Sequence, residues 1–261
     1  MLRKPESVGV DADRGSGFRL VEWPAESFLG QIPTVGREEI LRLGTPRVFA
    51  DEEALMWEGD QSSFVVVLLE GWVKVTAATE NGHFALLAIR RGGDLVGELA
   101  AIDALPRMAT VVAAGPVRAT VLSAEAFLGC LRRHPLVHQV VSGTLGAKFR
   151  AATRRRVEFA GYPVALRVMR VILELGQMYG RPVADQHGAV AIPLTQPEIA
   201  ALVGAAEPTV HKVLRDLRRR GLLSTGYRSV IIRDPRLLWA ELACLDSGSR
   251  AVQENYRAAG A

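Results

Sequence analysis

Between Pro46 and Phe127 apolar residues come in short runs, and from about Ala124 onward they recur at helical spacing. This change of period constrains the fold more than any other feature of the chain. The runs "EALMWEGD", "SFVVVLLEGWVKVTAA", "HFALLAIRRGGDLVG" and "ATVVAAGPVRATVLS" are Val-rich and separated by turn signals at Glu58-Gly59-Asp60, Glu70-Gly71, Glu80-Asn81-Gly82 and Gly92-Gly93-Asp94. Short apolar runs bounded by Gly, Asp and Asn read as strands. Several at this spacing predict an antiparallel β-barrel or jelly roll, which also limits exposed sheet edges. Helices follow, so the expected class is α+β.

"SAEAFLGCLRRHP" reads as a short helix ending at Pro135. A long helix is expected from about Leu136 to Phe159, where Val137, Val141, Leu145, Phe149 and Ala152 recur at steps of three and four. That stripe suits either a partner helix, as in a two-stranded dimer seam, or the helix's own β-domain. "PVALRVMRVILELG" opens a second domain with an amphipathic helix ending at Gly176. Residues 1–30, rich in Gly, Pro and Asp, read as an irregular arm, and "GREEILRLG" (Gly36–Gly44) as a short helix before the first domain.

"LTQPEIAALVGAAEPTVHKVLRDLRRRGLLS" carries a helix-turn-helix pattern. Thr195 and Glu198 form a capping-box signature, Gly204 allows a sharp turn, and Pro208 suits the first turn of a second helix. Val210, Val213, Leu214 and Leu217 make that helix's buried stripe, and Gly221 ends it. "LLSTGYRSVIIRD" predicts a β-hairpin, or wing. The exposed face of the second helix would carry Thr209, His211, Lys212 and Arg215, the types of side chain that reach base edges in the major groove. Arg218, Arg219 and Arg220 lie late in the helix, where phosphate contact or the helix dipole is the expected role. Wing residue Arg228 would meet a phosphate flank.

Charge supports a polyanion partner for this part of the chain alone. Residues 1–146 hold 14 basic and 18 acidic side chains, residues 147–233 hold 15 and 6, and residues 234–261 hold 3 and 4. The overall formal charge is +4. Cys130 and Cys244 lie far apart and match no metal spacing, and His83, His134 and His138 have no spacing that supports haem ligation. No apolar run reaches the length of a membrane span, and the first fifteen residues have no apolar signal core; a cytoplasmic location is expected.

"GELAAIDALPRMAT" (Gly97–Thr110) places a Glu and an Arg within the strand-rich domain. A buried carboxylate needs a partner. Glu98 could accept hydrogen bonds from ribose hydroxyls, Arg107 could fork onto a phosphate, and Gly97 would allow close backbone approach. A Glu98–Arg107 structural ion pair accounts equally well for the two residues. Glu98 could also act as a general base on paper, but no nucleophile–base pair, metal cluster or phosphate-binding loop accompanies it, so an enzyme is not expected.

The chain resembles the Crp/Fnr family of bacterial transcription factors over roughly residues 37–233. "GDLVGELAAIDALPRMATVVA" is similar to the family's phosphate-binding cassette, and "LTQPEIAALVGAAEPTVHKVLRDLRRRGLL" to its DNA-binding core. The resemblance implies a cyclic nucleotide-binding β-barrel domain over 31–133, a dimerisation helix over 134–160 and a winged helix-turn-helix over 161–234; an irregular arm over 1–30 and a helical tail over 235–261, where "LLWAELACL" reads as an extra helix, lie outside it. It implies that Glu98 binds the ribose 2′-hydroxyl and Arg107 the cyclic phosphate. The Gly97 and Leu99 amides and residue Met108 would lie alongside, and Thr153 on the long helix near the base. Thr195 and Gln196 would join Thr209, His211, Lys212, Arg215 and Arg228 at DNA. The expected effector is cAMP, acting allosterically, with neither cofactor nor metal; the alternative is the same fold responding to another small effector or active without ligand. The expected partners are palindromic double-stranded DNA, a second copy of the chain and RNA polymerase. Two departures stand out. Met108 replaces the Ser, Thr or Ala frequent after the cassette arginine, which favours cAMP over cGMP. Glu207-Pro208 replaces the Arg-Glu pair that reads the common half-site, so that DNA sequence does not transfer.

Overall fold

The computed structural model describes residues 23–78, 84–184, 186, 188–226 and 228–246. Two short helices, α1 (Phe28–Gln31) and α2 (Thr34–Leu43), precede strands β1 (Thr45–Phe49), β2 (Ala54–Met56), β3 (Val65–Glu70), β4 (Trp72–Ala78), β5 (Phe84–Arg91) and β6 (Leu95–Val96). Helix α3 (Glu98–Asp103) interrupts them before β7 (Thr110–Ala113) and β8 (Val117–Leu122). The strands form two four-stranded antiparallel sheets, ordered β1-β8-β3-β6 and β2-β7-β4-β5. Phe49, Val66, Leu68 and Val117 from the first sheet share one core with Met56, Val73 and Val111 from the second, so the sheets face each other as a β-roll.

Local chemistry sets these elements. Val65–Leu68 in β3 are fully buried, which fits a central strand flanked by β8 and β6 and explains its unbroken apolar run. Gly71 joins β3 to β4 at φ 88°, and a Cβ there would fall 2.4 Å from the Pro116 carbonyl oxygen. The predicted turn at Glu80-Asn81-Gly82, and His83 beside it, lie outside the described residues. Of the arm expected over 1–30, residues 1–22 also lie outside them, whereas Phe28 and Leu29 are buried in the β-roll's flanking core.

Helix α4 (Ala124–Arg133) is capped by the Ser123 hydroxyl, which accepts from the Ala126 amide at 3.1 Å. Helix α5 (Pro135–Gly161) follows directly, with Pro135 in its first turn. The five-residue stripe predicted for α5 divides in two. Val137 and Val141 are 0% and 1% exposed and pack with Phe28, Ile40 and Phe127 of their own domain. They are therefore not surface for a partner helix, because the chain itself has already removed them from solvent. Leu145 borders that core, while Ala152 and Phe149, the latter 73% exposed, face outward.

Helix α6 (Val164–Tyr179) opens the second domain. Strands β9 (Arg181–Pro182) and β10 (Val190–Ile192), helices α7 (Gln196–Val203) and α8 (Glu207–Arg219), and strands β11 (Leu223–Gly226) and β12 (Ser229–Ile232) complete a winged helix-turn-helix, its sheet ordered β11-β12-β10-β9. Residues 235–246 are helical, and Leu238 and Leu242 are buried in the same core, so the tail packs on this domain. The core also takes in Trp72, Leu86 and Ile89 from β4 and β5. The Trp72 and Tyr179 rings meet edge-on at 5.5 Å, and the Tyr179 hydroxyl donates to the Ile89 carbonyl at 2.7 Å. The winged domain is thus docked on the β4–β5 hairpin. No helix among the described residues is long and apolar enough to cross a membrane.

Candidate functional site

The Gly97–Arg107 segment forms a cradle at the start of α3. Gly97 is the N-cap, at φ 84°. A Cβ on Gly97 would lie 2.6 Å from Arg107 Nη1 and 3.0 Å from the Phe64 carbonyl oxygen, so glycine is needed for both backbone conformation and space. Arg107 and Glu98 are only 4% and 3% exposed. Arg107 Nη1 donates to the Gly97 carbonyl at 2.8 Å, Nη2 to the Phe64 carbonyl at 2.6 Å and Nε to Ser62 Oγ at 3.2 Å. Its guanidinium also stacks over the Phe64 ring, 4.6 Å from the centroid. Burial pushes its pKa down against the opposing charges of Asp60 and Glu98, yet a guanidinium stays protonated. The hydrogen bonds described use three of its five N–H donors, and neutral oxygens accept all three, so the positive charge is aimed without being neutralised.

Glu98 is paired with Lys148, not with Arg107. Lys148 Nζ donates to Glu98 Oε1 at 2.8 Å and to the Leu95 carbonyl at 3.0 Å. Burial depresses the Lys148 pKa, and the Glu98 carboxylate opposes that effect. Lys148 is a site residue that the cassette pattern does not include. A signal for it exists in the sequence: positions 137, 141, 144 and 148 form one helical row, so a lysine continues the buried face of α5. Leu99 and Met108 are exposed at the cradle's rim. Thr153 is exposed on α5 and takes no part in the hydrogen bonds described around Glu98.

The second site lies on the winged domain. The Thr195 hydroxyl caps α7, accepting from the Glu198 amide at 3.4 Å, while Glu198 accepts from the Thr195 amide at 2.8 Å. Gly204, at φ 60°, turns the chain into α8. Val210, Leu214 and Leu217 are buried, which leaves Thr209, His211, Lys212 and Arg215 exposed on the opposite face of α8. A cleft between α7, α8 and the wing brings Thr195, Gln196, His211 and Arg228 together, with Thr225 and Ser229 beside them. Lys212, Arg215 and Thr209 lie outside that cleft, on the helix surface.

Two contacts tie this site to the β-roll. Lys74 of β4 forms an ion pair with Glu198, the same carboxylate that caps α7. Arg228 Nη2 donates to Glu52 Oε1 at 3.0 Å, and its Nη1 lies 4.0 Å from Asp51. Arg228, expected to face a phosphate, here faces carboxylates instead.

A phosphate-cassette sensor domain joined by a long helix to a winged helix-turn-helix defines a class: DNA-binding transcriptional regulators of the cyclic nucleotide-binding type. Comparison with known proteins narrows the class. Residues 46–134 match the cyclic nucleotide-binding domain family, and residues 166–241 match the Crp-like helix-turn-helix domain family. The chain is 30% identical over 183 residues to a CRP-like cAMP-activated global transcriptional regulator of Mycobacterium tuberculosis, covering 69% of this chain and 80% of that one. A CRP/FNR family transcriptional regulator of Thermus thermophilus superposes with TM-score 0.61 at 27% identity, covering 76% of this chain and 98% of that one. The global regulator CLP of Xanthomonas campestris shares the fold, with TM-score 0.67 at 19% identity over 77% of this chain and 99% of that one. The chain belongs to the Crp/Fnr family of transcriptional regulators.

Proposed function

We propose that this chain is a homodimeric regulator whose affinity for a palindromic DNA site is set by cAMP in the Gly97–Arg107 cradle. One observation carries the reading: the buried carboxylate expected to bind ribose is held by Lys148, a residue of the long helix that leads to the DNA-binding domain. A nucleotide whose ribose hydroxyl donates to Glu98 must compete with Lys148 or share the carboxylate with it. Either way it acts on α5. Arg107 would meet the cyclic phosphate with its remaining donors, and the Gly97 and Leu99 amides would assist. Thr153 remains the candidate for the base, and exposed Phe149 and Ala152 for the seam between two copies. Each copy would present α8 to a half-site one helical turn from the other, and RNA polymerase is a further candidate partner. Effector binding shifts the population of the DNA-competent arrangement by its differential affinity for the two.

Calorimetry with cAMP at about 0.15 M salt tests the reading, with DNA retardation measured at the same ionic strength. Binding that Arg107→Ala abolishes, together with tighter retention of a palindromic duplex, is the expected result. Absence of cAMP binding by the folded protein removes cAMP as effector. A second reading has its own support: Lys148 already pairs with Glu98, so that carboxylate has a cation without a ligand. A regulator active without nucleotide would bind the palindrome with the same affinity in the presence and absence of cAMP.

A further inference from the structure

Away from the cradle, three side chains with metal-ligating atoms converge from two helices. Cys130 lies in α4 and His134 follows at its C-cap, four positions on, so both project toward the same side. Glu39 comes from α2, which packs against α4. One ligand atom from each residue, a thiol sulphur, an imidazole nitrogen and a carboxylate oxygen, lies within 4.8 Å of the other two. Ligands around a tetrahedral zinc ion sit roughly 3.5 Å apart, given bond lengths of about 2.0–2.3 Å. Small side-chain rotations close the difference.

The surroundings also fit a metal site. Cys130 is fully buried, and the Glu39 and His134 side chains are mostly buried, at 14% and 23% exposure. Glu39 Oε2 already contacts His134 Nε2, and Glu39 Oε1 accepts from Arg133 Nε at 2.8 Å. Arg133 thereby orients the carboxylate from outside, as outer partners of metal ligands do, and leaves Oε2 directed inward. A thiolate, an imidazole and a carboxylate form a donor set suited to borderline-soft divalent ions and poorly suited to Mg2+ or Ca2+.

We propose that Glu39, Cys130 and His134 bind a Zn2+-type ion, with a water completing its coordination. The site would tie α2 to the junction of α4 and α5, because His134 is also the N-cap of α5. Lys148 lies fourteen residues further along that helix, roughly 21 Å at 1.5 Å per residue. The ion would therefore hold the root of the same helix whose lysine closes on Glu98. This site is independent of the nucleotide reading: cAMP binding could fail with the metal site intact, and the reverse.

The test uses the full-length protein, titrated with Zn2+ against a chromogenic chelator and, separately, with Co2+ followed by absorption. The expected result is one equivalent bound, with a thiolate-to-cobalt charge-transfer band and intense tetrahedral ligand-field bands. Cys130→Ser removes the charge-transfer band, and Cys244→Ser leaves it unchanged. Glu39→Gln and His134→Gln, at less buried positions, each weaken Zn2+ by about 100-fold or more, against the roughly 10–100-fold seen when an outer partner is lost. A cobalt spectrum without the thiolate band overturns the proposal. So does Zn2+ affinity that is unchanged in both Glu39→Gln and His134→Gln, which decides the matter even if Cys130→Ser does not fold. In that outcome Glu39, Arg133 and His134 are an ion-pair network and Cys130 is core packing.

Discussion

Replacing Lys148 with Met tests the link between cradle and long helix most directly. The substitution keeps the aliphatic length and removes the ammonium that bonds Glu98 at 2.8 Å. Glu98 is left as a buried carboxylate without its cation. Breaking a fully buried pair costs about 3–5 kcal/mol. The Lys148 side chain retains 23% exposure, so water screens part of the interaction and about 1–3 kcal/mol is the better expectation. Glu98→Gln alone strands the lysine, while Lys148→Met combined with Glu98→Gln removes both charges. A double-mutant cycle by urea denaturation should therefore give a coupling energy of about 1–3 kcal/mol. Coupling below about 0.5 kcal/mol would mean that the two residues do not stabilise one another, and the route from cradle to α5 would be lost.

Three other outcomes follow from the same geometry. Gly97→Ala forces a Cβ into left-handed backbone, at about 1–2 kcal/mol, and displaces Arg107 from a charged hydrogen bond worth about 1.5–3 kcal/mol; unfolding stability should drop, and with it the proposed cAMP affinity measured by calorimetry. Phe149→Asp should dissociate the proposed homodimer in sedimentation while changing protomer stability by less than about 0.5 kcal/mol, whereas Val137→Ala should destabilise the protomer by about 1–3 kcal/mol through a cavity. Burial alone would raise the Glu198 carboxyl, but Lys74 and the Thr195 amide outweigh it and hold its pKa below the usual 4.5. A carboxyl lowered on folding contributes stability above its unfolded pKa and loses it as pH falls through the folded one. Docking of the winged domain, followed by Trp72 fluorescence, should accordingly hold from neutral pH to about 4.5 and weaken only below it, and Glu198→Gln should abolish that acid step.

Local patterns made much of this protein legible. Short Val-rich runs, Gly-rich turns, the Thr195–Glu198 capping box and Gly204 each act over a few residues, so the strands, the helix-turn-helix and the exposed face of α8 could be read directly from the chain. The Gly97–Arg107 cradle stood out as a candidate because Gly97, Glu98 and Arg107 lie within one short segment. What the residues alone left open was which partner each would meet. Glu98 could be assigned a ligand or Arg107, and it meets Lys148, fifty positions away. Val137 and Val141 carry the same helical spacing as Phe149 and Ala152. Only the placement of α1, α2 and α4 beside α5 separates a buried face from an exposed one.

The sequence alone therefore indicated the strand-rich first domain, the long helix, the winged helix-turn-helix and the basic character of the second domain, because each depends on neighbours along the chain. Tertiary structure decided the pairing of charges and the burial of faces: Lys148 on Glu98, Arg228 against Glu52 and Asp51, and Cys130 beside Glu39 and His134. It also decided that Trp72, Leu86 and Ile89 bind the winged domain. Such contacts join residues tens to more than a hundred positions apart, and their partners become definite only when the domains pack and water leaves the space between them.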